Sequence, residues 1–185
     1  MSWERYHFFM LHTEPATHFT LDDINPKLWF ESRSDLFGYA LENLFAEFKG
    51  FEDLHFLQWR DDLSWEQCNT TANVFSPDQQ PHIINEIQRF FNCLKTMDVE
   101  HLYKKGVLLE YMSADNFLPN WIEDADHYVQ KHKASDCGIE NFSNVESFFD
   151  TICALHLVID IFQQAHDYNL YLISLYTTKK DNSLK

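Results

Sequence analysis

Four glycines and five prolines in 185 residues, beside 17 phenylalanines, constrain the architecture more than any motif does. A β-sandwich of short strands needs a turn signal roughly every ten residues, and glycine and proline are the strongest such signals. This chain has too few, so helices must carry most of its length. The phenylalanines supply large buried areas from few positions, enough for a substantial core. At this length one core is the expected number, so residues 1–185 read as a single globular domain with a frayed tail from about residue 178.

Charge narrows the function classes. The formal net charge is -15, from 29 Asp and Glu against 14 Lys and Arg, and the pI is near 4.9. Phosphate-backbone binding needs clustered cations, so direct nucleic-acid binding is disfavoured. Anionic membrane surfaces are disfavoured for the same reason. The apolar patch near the N-terminus is broken by Arg5 and His7 and lacks a small-residue cleavage site, which makes it a poor signal peptide. Thr151 to Phe162, the most apolar stretch, falls short of the ~20 residues a membrane span requires. Cys68, Cys93, Cys137 and Cys153 are dispersed without a C-x-x-C pair, which reads as reduced thiols in a cytoplasmic protein.

The order of elements follows from periodicity and punctuation. Tyr6 to Thr13 reads as a first strand, and its near-continuous apolarity predicts burial on both faces. Residues 14–32 carry Pro15 and Pro26 and read as a connecting segment with one short helical turn. Ser34 opens a helix through Leu36, Leu41, Leu44 and Phe48, with Gly50 at its C-terminal cap. Phe51 to Leu57 reads as a short helix or a docked loop. Ser76-Pro77-Asp78-Gln79 has the form of a capping box before a helix that buries Ile83, Ile84, Ile87, Phe90, Phe91 and Leu94. Asp98 caps a shorter helix ending near Gly106. Asn120 to Glu123 and Ser143 to Glu146 are two further boxes, the second opening the longest helix, to about Tyr168. Asn169 is its C-cap, and Leu170 to Tyr176 reads as the last strand. The fold class expected is therefore α+β, helix-rich, with a small sheet formed by the N- and C-terminal strands.

Candidate chemistry is dispersed. His156 and Asp160 are one helical turn apart and suit two metal ligands or, the more common case, a core-edge histidine bonded to Asp160. Glu123 and His127 are also one turn apart and suit an acid–base pair or solvated surface pairing. His156 and His166 are ten residues apart, about 15 Å along a helix, too far to share a metal ion. No G-x-S-x-G elbow, phosphate-cradling loop or EF-hand spacing is present. Cys137 follows Asp136, whose charge raises a thiol pKa rather than activating it. No catalytic residue, metal site or cofactor is assigned. Between Asp22 and Glu66 there are 11 acidic residues and only Lys27, Arg33, Lys49 and Arg60 as cations. Glu52, Asp53, Asp61, Asp62 and Glu66, with Trp59 and Trp65 among them, combine carboxylates and aromatic anchors as a protein interface does. The same residues also suit a solvated acidic face at the edge of the core.

From residue 75 onward, three segments carry a resemblance. They are Phe75-Ser76-Pro77-Asp78-Gln79 opening a helix, Met97-Asp98-Val99-Glu100-His101-Leu102 after it, and Phe162-Gln163-Gln164-Ala165-His166 leading into Asn169-Leu170-Tyr171-Leu172-Ile173. In these the chain resembles the YfbM-like family of small bacterial α+β proteins. The resemblance implies a fold and a bacterial cytosolic setting, and no catalytic residues. Small acidic bacterial proteins of this general kind include immunity proteins, an analogy of class rather than of residues.

The expected function is that of an acidic inhibitor or immunity protein that binds a basic partner, a nuclease-type toxin fitting best, and masks its active site. The alternative is a small-molecule enzyme with a dispersed His/carboxylate site.

Overall fold

Strands from the two ends of the chain lie side by side at the centre of one sheet. The structure, a computed structural model, describes residues 5–16, 27–32, 36–58, 72–98, 121–133, 142–143 and 148–178. Strands β1 (Arg5–His12), β2 (Leu28–Ser32), β3 (Ala72–Phe75), β4 (Phe142–Ser143) and β5 (Tyr171–Thr178) are ordered β3-β5-β1-β2-β4. β1 pairs antiparallel with β5 from Arg5↔Thr178 to His12↔Tyr171, and β4 joins β2 in parallel. With helices α1 (Leu36–Glu47), α2 (Gln80–Lys95), α3 (Trp121–Lys133) and α4 (Phe148–Asp167), the fold is α+β, as the sequence indicates.

The continuous apolarity of β1 has its expected cause. Phe9 points into the main core with Phe30 and Leu172, while Phe8 and Met10 pack with Ile173 and Leu175 on the opposite face. A central strand buried on both sides cannot alternate polar and apolar residues. His7 shares the core face of Phe9 and is itself buried, 3 % exposed. Burial pushes its pKa down to about 3, so the imidazole is neutral at physiological pH.

α4 lies at the centre of the helical layer, in contact with α1, α2, α3, β2 and β5. It buries Ile152, Leu155 and Phe162 as its periodicity indicates, and also Cys153, Ala154, Val158 and Ala165. A helix packed on several sides needs small residues where neighbours come close, which a single amphipathic stripe does not reveal. Its C-terminus is a Schellman motif: Leu170 N–H donates to Ala165 O at 2.8 Å and Asn169 N–H to His166 O at 3.0 Å. Asn169 holds φ 54°, the left-handed conformation that this cap requires.

Three expectations are corrected. Residues 28–32, taken as part of a connecting segment, form β2, with Leu28 and Phe30 buried. The apolar run Leu28-Trp29-Phe30 is too short to set a period, and pairing with β1 decides the conformation. The second helix begins at Gln80 rather than just after Ser76. Pro81 has no N–H to bond Pro77 O, so a turn precedes the helix, and that carbonyl accepts from His166 Nδ1 at 3.1 Å instead. The reciprocal half of the box does form, with Ser76 N–H donating to Gln79 Oε1 at 2.9 Å. Ser143 is the last residue of β4, and residues 144–147, the remainder of the box expected to open the longest helix, lie outside the described residues, that helix being described from Phe148. The last strand extends to Thr178, into the expected tail, because β1 offers partners to its end. The short helix expected at Asp98–Gly106 lies outside the described residues beyond Asp98.

Candidate functional site

The groove that gathers carboxylates and aromatic rings is built where the chain leaves α1. Phe48 N–H still bonds Leu44 O, and then Gly50, at φ 93°, turns the backbone in a conformation that a side chain would strain. Phe51 drops into the core, its ring 5.2 Å from Phe90 and 6.3 Å from Phe45. A 3-10 helix, Glu52–Leu57, follows, and the burial of Leu54 and Leu57 leaves Glu52, Asp53 and His55 facing solvent.

Opposite this helix stands β3, which pairs with β5. Between them lies a groove of about 540 Å³, lined by Glu52, Asp53, His55, Phe56 and Gln58 on one side and by Asn73 and Phe75 on the other. The rings of Phe56 and Phe75 are 4.8 Å apart, and both rest on Phe162 of α4 at 6.1 and 5.1 Å. The groove thus has an aromatic base anchored in the core. Two carboxylates line it, with no Lys or Arg among the described lining residues. Asp53 Oδ2 lies 2.7 Å from Nε2 of His82 on α2, both side chains more than half exposed. In that exposure the pair orients Asp53 more than it stabilises the fold.

A nearby cation is already engaged. The Arg89 guanidinium lies 4.0 Å from the centroid of the Phe51 ring and donates to Glu86 and to Gly50 O. The hydrogen bond to Glu86 holds its pKa above the ordinary value, with a smaller contribution from Glu52.

Of the sequence-assigned contact residues, Glu52 and Asp53 line this groove, while Trp59, Asp61, Asp62, Trp65 and Glu66 lie outside the described residues. The aromatic groups beside the carboxylates are Phe56 and Phe75, which the sequence did not single out for binding. The two are 19 positions apart, and only the docking of the 3-10 helix against β3 makes them neighbours.

A second groove, of about 340 Å³, lies among α2, α3 and α4. Gln88, Phe91, Asn92 and Lys95 face Ile122, Glu123 and Asp126, with His156 beneath. Lys95 pairs with Glu123, and this hydrogen bond is the main reason that the Glu123 carboxyl lies below its ordinary pKa. The His156 ring stacks on Phe91, centroids 4.5 Å apart, and its Nδ1 is 3.5 Å from Asp126 Oδ1. The carboxylate at Nδ1 thus comes from α3, a pairing that helical spacing within α4 does not reveal. Nε2 of the same ring is fully enclosed by protein. An imidazole acting on a substrate must present one nitrogen to it, and this one offers the groove only the nitrogen beside Asp126.

The remaining reactive side chains are placed structurally. His166 ties the end of α4 to Pro77 O, and His127 is exposed on α3. The Cys153 thiol is buried and pushed up to about 12, mainly by desolvation, so it is inert at neutral pH. Cys93 is half-buried on α2, and Cys68 and Cys137 lie outside the described residues. Among the described residues no three His, Cys, Asp or Glu side chains gather as metal ligands, and no helix is long and apolar enough to cross a membrane. Comparison with protein-family models, with curated proteins and with solved structures finds no match in any of the three.

Proposed function

We propose that this chain is an acidic inhibitor of the immunity-protein type, acting in a bacterial cytoplasm, that binds a basic partner protein and masks its active site. A nuclease-type toxin is the partner class that fits best, because its substrate-binding cleft must itself be cationic. The observation that carries the reading is the groove between the 3-10 helix and β3, where Glu52 and Asp53 flank an aromatic base and no lysine or arginine is among the described lining residues. A net charge of -15 steers a basic surface toward the molecule, and buried aromatic contact supplies the affinity that steering alone does not.

The enzyme reading draws on the His156–Asp126 contact in the second groove. Nε2 is enclosed and the nitrogen that faces the groove lies beside the Asp126 carboxylate, so this reading ranks second.

The test is affinity capture from native lysate at low and at high salt, with the wild-type chain and the Glu52→Gln/Asp53→Asn double variant as parallel baits. A stoichiometric basic protein held by the wild type at low salt, weakened by salt and by the double variant, supports the proposal. Equal recovery by both baits at both salt concentrations overturns it.

A further inference from the structure

We infer that the groove between the 3-10 helix and β3 receives an arginine side chain of the partner, an assignment that rests on the protein-binding reading above. Three observations lead there.

The groove combines two features that suit different parts of one side chain. The rings of Phe56 and Phe75 form an apolar base, and Glu52 and Asp53 place negative charge beside it. The two carboxylates disfavour an anion. A divalent cation would need a third ligand, and among the described residues no metal-ligating group of three is assembled. A neutral apolar side chain would bury carboxylates without compensating them. A cation with a flat, weakly hydrated face satisfies the rings and the carboxylates together.

The chain itself displays this chemistry one residue before the groove. Arg89 lies over the Phe51 ring while bonding the Glu86 carboxylate and the Gly50 carbonyl. Aromatic face, carboxylate and carbonyl oxygen together hold one guanidinium. The neighbouring groove is lined by comparable groups: Phe56 and Phe75, Glu52 and Asp53, and the amide residues Gln58 and Asn73.

Asp53 also keeps an acceptor for a ligand. Its Oδ2 meets Nε2 of His82 across an exposed contact, and its second carboxylate oxygen, Oδ1, is an acceptor that a guanidinium can use. A guanidinium, with five N–H donors in a rigid plane, can use that oxygen, Glu52 and an amide oxygen while stacked on a ring. A lysine ammonium is compact and strongly hydrated, and it gains less from the aromatic base.

The experiment uses the full chain, ¹⁵N-labelled, at low ionic strength, titrated with acetyl-Gly-Arg-Gly-amide and separately with acetyl-Gly-Lys-Gly-amide. The arginine peptide is expected to give saturable amide shifts confined to residues 52–58 and 73–75, with at least threefold tighter binding than the lysine peptide. Glu52→Gln/Asp53→Asn is expected to weaken it at least fivefold. Asp78→Asn/Asp124→Asn, which removes two exposed charges outside the groove lining, should change it less than twofold. Equal affinity for both peptides, shifts centred elsewhere, or equal loss in both double variants overturns the arginine assignment. If that happens while the captured partner still binds in a salt-dependent and Glu52/Asp53-dependent manner, the protein-binding reading stands and only the arginine assignment falls. Partner binding indifferent to salt and to these variants overturns both.

Discussion

The side-chain amide of Gln80 donates to the carbonyl oxygen of Leu170, 2.7 Å away and 90 residues further along the chain. The same nitrogen donates to Phe75 O at 3.2 Å, so one buried amide joins the start of α2 to the end of β3 and to the residue before β5. Both carbonyls lie where the helical layer meets the sheet. Gln80→Ala removes the donor from both, and leaving buried acceptors without partners costs about 1–3 kcal/mol. Gln80→Glu should cost more, since a carboxylate would face two carbonyl oxygens. Urea unfolding of the two variants beside the wild type checks the order.

His7 makes stability depend on pH in a known direction. Its folded pKa of about 3 lies below the ordinary 6.5, so between those values the unfolded chain takes up a proton that the folded chain refuses. The contribution is fully present above pH 6.5 and is lost as pH falls toward 3, at about 1.4 kcal/mol per pH unit. His7→Gln removes this titration. The stability difference between wild type and His7→Gln should therefore move steadily in favour of the variant from pH 7 to pH 4. A constant difference across that range would mean that the imidazole is not held neutral.

The C-terminus of α4 offers a local test of backbone conformation. Asn169 holds φ 54° within a Schellman cap, where a β-carbon without a polar group is disfavoured. Asn169→Ala should lose about 1 kcal/mol, whereas Asn169→Gly should stay within about 0.5 kcal/mol of wild type. Thermal unfolding of the pair separates the conformational effect from simple loss of the side chain.

This cap was legible in the sequence because every part of it is local: an apolar helical run, an asparagine, and a strand-like segment beyond. β2 was not, since Leu28 and Phe30 are too few to set a period and their partners on β1 are some twenty residues away. The burial of His7 was equally hidden, because an isolated histidine in an apolar strand carries no mark of which face it joins. At the candidate site, the adjacent carboxylates Glu52 and Asp53 could be read directly. Phe56 and Phe75 could not, because they are 19 positions apart and meet through the docking of the 3-10 helix against β3, with both rings resting on Phe162. The Lys95–Glu123 and His156–Asp126 pairs each span two helices, and helical spacing reveals only contacts within one.

The core beneath the groove should transmit its own loosening. Phe90 is fully buried, with Phe45 at 5.0 Å, Phe51 at 5.2 Å and Phe48 at 6.3 Å. Phe90→Ala leaves a cavity at the point where Phe51 anchors the 3-10 helix, at an expected cost of about 3–5 kcal/mol. Phe90→Leu should cost less than half as much. Amide hydrogen exchange in the Leu variant should accelerate at residues 52–58 before it does in β1 or β5, because those residues depend on Phe51 for their position.

The two grooves make opposite predictions once a partner is in hand. Association measured by stopped flow should slow several-fold on raising ionic strength, because steering by opposite charges is screened by salt. Glu52→Gln/Asp53→Asn should reduce the association rate and also raise the dissociation rate at least tenfold, since those carboxylates touch the partner beside an aromatic anchor. Glu123→Gln/Asp126→Asn removes the same charge from the second groove and its contacts with Lys95 and His156. It should lower the association rate slightly and leave dissociation unchanged, because the general field is weakened while the contact surface is intact. Faster dissociation in the second variant, with none in the first, would move the interface to the α2–α3–α4 groove and remove the argument built on Glu52 and Asp53.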